Sequence, residues 1–124
     1  MDGMAKKILV VDDDDLVLIA IQELLTPLGF AVTAVSSGPE ALQQVSRDPF
    51  DLVILDVSMP EMTGFEVCQK IRQMGSYADT PILMLTARSG EEDRQRGMEA
   101  GANLYLPKPI SPKRLIALVE EALK

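Results

Sequence analysis

The sequence predicts an α/β fold built on a parallel sheet. Five short apolar segments alternate with five stretches in which apolar residues recur at helical spacing. Such alternation is typical of parallel strands joined by right-handed helical crossovers. The central segment, Leu52–Leu55, consists of four apolar residues, which indicates a strand buried on both faces. No leftover segment of the 124 residues is long enough for a second domain, so residues 1–124 are predicted to form one domain.

The first strand and helix follow a polar lead-in at residues 1–6. Strand Lys7–Val11 ends on four consecutive acids at positions 12–15. Any of these acids could cap the next helix, because carboxylates accept hydrogen bonds from the free N–H groups at a helix start. The apolar face of that helix is formed by Val17, Ile21, Leu24 and Leu28. Gly29 is expected to end the helix.

Two further strand and helix pairs occupy the middle of the chain. Residues 30–35 form the second predicted strand, and the spacing of Ser37 and Glu40 predicts a capping box at the start of the second helix. The third strand ends on Asp56, which is expected near solvent or a cation because burying an unpaired charge is unfavourable. The third helix is predicted at residues 64–74.

The remaining elements follow the same pattern. Residues 81–85 form the fourth predicted strand, and the spacing of Ser89 and Glu92 predicts a capping box for the fourth helix. A shorter strand is predicted at 104–106. The Ser-Pro pair at 111–112 is typical of a helix start. The apolar stripe of the last helix is formed by Leu115, Leu118, Val119 and Ala122.

The composition argues against several classes of function. The net charge of −7, with no His, argues against a basic nucleic-acid-binding face. One cysteine, Cys68, and no His argue against a disulfide framework and a zinc site. No apolar run approaches the ~20 residues of a membrane span, and a signal-peptide core is missing. We therefore expect a cytoplasmic protein without membrane insertion or direct nucleic-acid binding.

Residues capable of chemistry follow four of the predicted strands. They are Asp12 and Asp13 after the first strand, Asp56 after the third, Thr86 at the fourth and Lys108 beyond the fifth. The carboxyl ends of parallel strands meet at the same edge of a sheet. These side chains are therefore expected to converge on one shallow site.

The types of residue in this set predict phosphoryl transfer. Three ionised carboxylates cannot crowd together without a counter-charge, and Mg²⁺ suits them because it binds carboxylates while keeping positions for water and phosphate oxygens. Thr86 offers a hydroxyl donor and Lys108 an ammonium group, both suited to phosphate oxygens. The set therefore predicts Mg²⁺-dependent phosphoryl transfer to Asp56.

Four segments of the chain resemble a known family. They read Val10-Val11-Asp12-Asp13, then ILDVSMPEMTG at 54–64, then Leu85-Thr86-Ala87, and finally Tyr105-Leu106-Pro107-Lys108-Pro109. From about Lys6 to the end, the order and spacing resemble the receiver domain of bacterial two-component response regulators, including its single-domain, chemotaxis-regulator-like members. The resemblance implies a flavodoxin-like, doubly wound sheet of order 2-1-3-4-5, with five helices on its two faces.

The resemblance also implies a role for each site residue. Asp56 would accept the phosphoryl group from a histidine kinase or a histidine phosphotransfer protein. Asp13, Asp56 and the backbone carbonyl of Ser58 would bind Mg²⁺, with Asp12 reaching the metal through water. The phosphate-contacting and switch residues would be Thr86, Ala87, Tyr105, Lys108 and Pro109. The Lys108–Pro109 bond would be cis, and Tyr105 would turn inward on activation.

The implied function is that of a signalling switch, not of an enzyme acting on other molecules. Its only chemistry would be phosphoryl transfer onto Asp56 and the later loss of that group. Phosphorylation would change the surface of the fourth helix, fifth strand and last helix, where a downstream protein would dock. Family members that dimerise there commonly carry acids where this chain has Asn103 and Leu104. A monomer or a weak phosphorylation-dependent dimer is therefore expected, and the kinase and the target stay open.

Three other interpretations also stay open. A haloacid-dehalogenase-type phosphatase would use Asp13 as its nucleophile, since the acids and the valine at 13–17 match the D-x-D-x-V spacing, but no segment remains for a substrate-holding cap. A flavin or nucleotide binder would need a glycine-rich loop where this chain has four acids. A docking module independent of phosphorylation would not need the chemical groups that this chain carries.

Overall fold

The computed structural model describes residues 5–124, so residues 1–4 of the predicted lead-in lie outside the described range. Within that range the strands are β1 (Lys7–Val11), β2 (Ala31–Val35), β3 (Leu52–Leu55), β4 (Ile82–Thr86) and β5 (Leu104–Pro107). The helices are α1 (Asp15–Leu25), α2 (Gly38–Arg47), α3 (Gly64–Gln73), α4 (Glu91–Ala100) and α5 (Pro112–Ala122). None of these helices is long and apolar enough to cross a membrane.

All five strands are parallel, in the order β2-β1-β3-β4-β5. This order confirms the predicted α/β fold and the topology that the family resemblance implied. Val11 at the end of β1 lies opposite Leu55 at the end of β3, and the N–H of Asp56 donates to the Val11 carbonyl at 2.9 Å. Asp12 and Asp56 therefore follow neighbouring strand ends, at the carboxyl edge of the sheet.

The sheet buries side chains on both of its faces. Alternate residues of β1, β3 and β4 pack with α2 and α3 on one face, and with α1 and α5 on the other. Every residue of β3 is buried, which confirms the prediction for this segment. A strand covered on both faces is fixed by packing from two sides. The acid that follows β3 therefore stands on a rigid base.

The start of α4 differs from the prediction. The expected capping box at Ser89 and Glu92 is wrong, because the helix begins one residue later, after Gly90, which makes no side-chain cap. The third helical residue is then Asp93, and its carboxylate accepts two hydrogen bonds from the Arg88 guanidinium, at 3.2 and 2.9 Å. The acid at this helix start therefore holds the preceding loop.

Two other helix starts are capped by side chains in a way that fixes the adjacent strand ends. A reciprocal capping box begins α3, with Thr63 Oγ1 accepting from the Glu66 N–H and the Glu66 carboxylate accepting from the Thr63 N–H. At α1, the Asp14 carboxylate accepts from the Leu16 N–H at 2.9 Å. Of the four consecutive acids, Asp14 is therefore the cap.

Candidate functional site

Three carboxylates meet at the carboxyl edge of the sheet, as predicted. Asp12 and Asp56 are buried, with 3% and 5% of their surface exposed, while Asp13 is exposed. Each of the three acids has a carboxylate oxygen within 4.8 Å of the others. Such spacing lets three oxygen atoms face a single small cation.

Backbone N–H groups orient the two buried carboxylates. Asp12 Oδ1 accepts from the Asp14 N–H at 2.9 Å. Asp56 Oδ1 accepts from the N–H groups of Val57 and Ser58, at 2.7 and 3.3 Å. In each acid one oxygen is therefore held by the loop that follows the strand, and the second oxygen is left to face the site.

Lys108 contacts the second oxygen of both buried acids. Its Nζ donates to Asp12 Oδ2 at 2.6 Å and to Asp56 Oδ2 at 3.3 Å. The N–H of Lys108 also donates to the carbonyl of Thr86 at 2.9 Å, which ties the loop after β5 to the end of β4. The structure thus brings together the predicted acids and lysine from the ends of three strands. The Lys108–Pro109 peptide is cis, as the resemblance implied.

The surroundings of Asp12 and Lys108 change the protonation equilibria of both groups. Burial raises the pKa of the Asp12 carboxyl, and the charge of Asp56 adds to this effect, against hydrogen bonds from Lys108 and the Asp14 N–H. Desolvation would lower the pKa of Lys108, but its hydrogen bond to Asp12 and the charges of both acids outweigh it, so that pKa is raised. The shift of Asp12 is thus set mainly by burial, and that of Lys108 by its contacts with Asp12 and Asp56.

The donor set fits a hard divalent cation. Three carboxylates and one ammonium leave two negative charges uncompensated, and all the available ligands are oxygen atoms. Mg²⁺ prefers such ligands and neutralises two charges. Ser58 is exposed next to the site, and metal binding by its carbonyl stays a prediction.

A chain of contacts leads from Thr86 to Tyr105. Thr86 is fully buried, and its Oγ1 accepts from the N–H of Arg88 at 3.2 Å. The Tyr105 hydroxyl donates to the carbonyl of Arg88 at 2.6 Å. The residue two positions beyond Thr86 therefore contacts both predicted switch side chains. Ala87, which lies between Thr86 and Arg88 in the chain, is exposed.

Gly64 is a site residue whose role the sequence did not reveal. Its N–H donates to the Val57 carbonyl at 2.9 Å. A Cβ added at Gly64 would clash with the carbonyl oxygen of Asp56 and would lie 2.8 Å from Val57 Cα. The first turn of α3 can approach the main chain of Asp56 this closely only because residue 64 has no side chain. The segment 54–64 indicated a turn at Gly64, but it did not indicate the close approach of α3 to the main chain of Asp56 and Val57.

An apolar cleft of about 340 Å³ opens beside Lys108, between α1 and the loop that leads into α5. It is lined by Val17, Ala20, Ile21, Leu24, Leu85, Lys108, Pro109, Ile110, Pro112 and Leu115. Next to it, α1 exposes Leu16 and Ile19, with 76% and 49% of their surface accessible. Large exposed apolar side chains next to a cleft mark a surface suited to binding another protein.

Comparison with known proteins gives a consistent result. The family model described as "Response regulator receiver domain" matches residues 8–120. Response regulator MprA of Mycobacterium leprae is 42% identical over 118 residues, which cover 95% of this chain and 51% of that protein. The chain thus spans about half the length of the curated relatives it matches.

Solved structures with the same fold include two informative neighbours. The chemotaxis protein CheY4 of Vibrio cholerae superposes with a TM-score of 0.92 at 37% identity, covering 97% of this chain and all of that one. The receiver domain of the sensor histidine kinase PA1611 of Pseudomonas aeruginosa, with a magnesium ion coordinated in its active site cleft, gives a TM-score of 0.89 at 29% identity. That match covers 97% of this chain and 98% of the neighbour.

Proposed function

We propose that this chain, which belongs to the response regulator receiver domain family, is a phosphorylation switch whose phosphoacceptor is Asp56. The observation that carries the proposal is the contact of buried Asp56 with Lys108, whose single positive charge also pairs with Asp12 and so leaves two negative charges of the three-acid cluster uncompensated. A carboxylate in this setting is held in place, faces a cation and lies next to a position that suits Mg²⁺. These are the requirements for transferring a phosphoryl group to Asp.

The proposed step is an in-line displacement at phosphorus. Asp56 Oδ2 forms the new P–O bond, since Oδ1 is engaged by two N–H groups. The P–N bond of a phosphohistidine on the partner protein breaks, and its electron pair stays on the imidazole nitrogen. Lys108 and the Thr86 hydroxyl would bind the phosphoryl oxygens. Mg²⁺, held by Asp13, Asp56 and the Ser58 carbonyl, with Asp12 binding through water, would neutralise charge during transfer.

The phosphodonor is proposed to be a histidine kinase or a histidine phosphotransfer protein. A protein donor must place its histidine at the edge of the sheet, and this requires a docking surface adjacent to Asp56. The apolar cleft beside Lys108, with exposed Leu16 and Ile19, supports this role because it borders the site directly. A small-molecule substrate would gain nothing from exposed leucine and isoleucine side chains on α1.

The output of the switch is proposed to be the surface of α4, β5 and α5. Phosphorylation would draw Thr86 toward the phosphoryl group. The N–H of Arg88 donates to Thr86 Oγ1 and the Tyr105 hydroxyl donates to the Arg88 carbonyl, so this movement would reach Tyr105 through Arg88. Met98 on α4 and Leu104 on β5 are exposed apolar side chains on this surface, which supports binding of a downstream protein there. The lack of acids at Asn103 and Leu104 favours a monomer or a weak, phosphorylation-dependent dimer.

The test is intact mass measurement after incubation with acetyl phosphate and Mg²⁺. The wild type should gain one labile phosphoryl group, EDTA should prevent the gain, and Asp56→Asn should abolish it. Asp79→Asn is the matched control, because Asp79 is an exposed acid that lines a pocket bordered by Phe50 and Pro81, next to the amino ends of β3 and β4. It should leave the gain unchanged.

The same experiment separates the competing interpretations. Loss of the gain in Asp13→Asn together with its persistence in Asp56→Asn would overturn the proposal in favour of a phosphatase-type nucleophile at Asp13. No gain in the wild type would favour a docking module that works without phosphorylation.

A further inference from the structure

A glycine lies in the interior of α4, where glycine is unfavourable. Gly97 is the seventh of the ten residues of Glu91–Ala100, and it is buried. Glycine in a helix interior exposes backbone and loses more conformational freedom on folding than alanine does. Its φ is not positive, so no backbone requirement explains the residue. The explanation must therefore lie in what packs against it.

The ring of Tyr105 occupies the space that a side chain at residue 97 would fill. A Cβ added at Gly97 would lie 2.7 Å from Tyr105 Cδ1, 3.0 Å from Tyr105 Cε1 and 2.9 Å from Met84 Sδ. Met84 belongs to β4 and is fully buried, so its sulfur can shift only slightly, which suffices to relieve one contact with the end of a flexible side chain. Tyr105 is only half-buried on β5, and its ring can leave by rotating about χ1. Of the two neighbours, the ring is the one that would be displaced.

The position of the ring over Gly97 is also the one that connects Tyr105 to the site. From there its hydroxyl donates to the carbonyl of Arg88 at 2.6 Å. The N–H of the same residue donates to Thr86 Oγ1, and its guanidinium is paired with Asp93 at the start of α4. A ring excluded from the space at Gly97 would leave the Arg88 carbonyl and lose its link to Thr86.

We propose that Gly97 is a positioning residue for Tyr105: its missing side chain creates the notch in α4 that holds the ring in contact with Arg88. A side chain at this position turns the ring outward. The balance between the two ring positions is then set by residue 97 as well as by the state of the site. This second statement rests on the proposed function, because it assumes that a phosphoryl group at Asp56 favours the ring position seen here.

Linkage makes the consequence measurable. Suppose that a phosphoryl group or its analogue at Asp56 favours the Tyr105 ring in its position over Gly97. Any change that disfavours this ring position then weakens binding of the phosphoryl group or analogue by the same factor. A Gly97→Ala variant would therefore bind a phosphoryl analogue less tightly, although the atoms nearest to the new Cβ belong to Tyr105 and Met84 and not to the three acids or Lys108. A merely structural role for Gly97 predicts no such effect, and alanine would then simply favour the helix.

The first test measures the ring itself, without any ligand. The chain has no Trp and two Tyr, and Tyr77 is only 3% exposed, so acrylamide quenching of tyrosine fluorescence reports mainly on Tyr105. Gly97→Ala should increase the quenching, whereas Gly75→Ala should not, because nothing lies within 4 Å of a Cβ at Gly75. Unchanged quenching in folded Gly97→Ala would overturn the proposal.

The second test measures linkage with beryllium fluoride and Mg²⁺ as the phosphoryl analogue. Gly97→Ala should raise the apparent Kd by about fivefold or more, the usual lower range of allosteric coupling. In a Tyr105→Ala background, where the space is open, adding Gly97→Ala should change the Kd by much less. An equal change in both backgrounds would show that Gly97 does not act through the ring.

The two tests fail in different ways. If the wild type does not bind beryllium fluoride, the proposed function is wrong, and the quenching experiment still decides whether Gly97 positions Tyr105. If Gly97→Ala does not fold, the double variant with Tyr105→Ala should restore folding, because it removes the ring that clashes with the new Cβ. Failure of the double variant to fold would contradict the proposal.

Discussion

Replacing Gly64 by alanine is expected to lower the stability of the domain and to disturb the residues that follow Asp56. The added Cβ would lie 2.8 Å from Val57 Cα and 2.9 Å from the carbonyl carbon of Asp56. These are main-chain atoms, which cannot rotate away as the end of a side chain can. Asp56 is also fixed in the sheet, since its N–H donates to Val11. The strain must therefore be relieved by moving the first turn of α3 away from the site.

The size of the effect follows from the nature of the contact. Forcing one extra methyl group into a tightly packed region typically costs about 1–3 kcal/mol. For a domain of this size each kcal/mol lowers the Tm by roughly 3–5 °C, so the loss should be about 3–15 °C. The Gly64 N–H donates to the Val57 carbonyl, so movement of α3 would also disturb the Val57 and Ser58 N–H groups that hold Asp56 Oδ1. The yield of phosphorylated protein should therefore fall.

Thermal unfolding followed by circular dichroism measures the stability change, and Gly75→Ala supplies the matched control. A Cβ at Gly75 has nothing within 4 Å, and its φ is not positive. This control should be neutral or stabilised by about 0.4–1 kcal/mol, because alanine restricts the unfolded chain. If Gly64→Ala unfolds at the wild-type temperature and is phosphorylated normally, the close packing of α3 against Asp56 is not a constraint and the reasoning fails.

Two further predictions concern titratable groups. The pKa of Asp12 is raised in the folded state above its ordinary value of 3.8, so the folded state binds this proton more tightly than the unfolded chain does. The wild type should therefore lose stability as pH rises from 3.8 through the folded-state pKa. Asp12→Asn has no carboxyl group here and should not show this loss. In urea unfolding with EDTA present, the unfolding free energy of the variant minus that of the wild type should therefore increase as pH rises. A difference that does not change with pH would refute the titration of Asp12 as the cause. Burial raises the pKa of Cys68 to about 11, so a thiol reagent near neutral pH should label it only as fast as the chain unfolds. Fast labelling of the folded protein, in proportion to reagent concentration, would contradict that prediction.

The parts of the fold that could be predicted are those set by local periodicity. The apolar segments became strands, and β3 and β4 are buried at every position. The convergence of acids, threonine and lysine on one edge followed from the parallel sheet, because topology places every strand's carboxyl end together. No pairwise contact had to be known for that step.

The parts that could not be predicted depend on distances between elements. In the sequence, the residues around Gly64 look like those of any turn, and the residues around Gly97 look like those of any weak helix. Their roles arise from main-chain atoms of Asp56 and from the ring of Tyr105, which the chain brings into contact only when folded. The capping error at α4 has the same origin, because Asp93 is drawn to Arg88 in the preceding loop. Sequence spacing cannot rank such competing partners.

The run of four acids shows where prediction from sequence stops. Composition makes residues 12–15 equivalent, yet register separates their roles. The N–H of Asp12 still bonds across to the Val35 carbonyl of β2, which keeps this residue in the sheet and buries its carboxylate beside Lys108. Asp14 lies two residues later and caps α1, which leaves Asp13 exposed at the mouth of the site. If β1 paired with its neighbours one residue further along, Asp13 would take the buried position beside Lys108 that Asp12 occupies. The pairing of β1 with its neighbours therefore decides which acid faces Asp56.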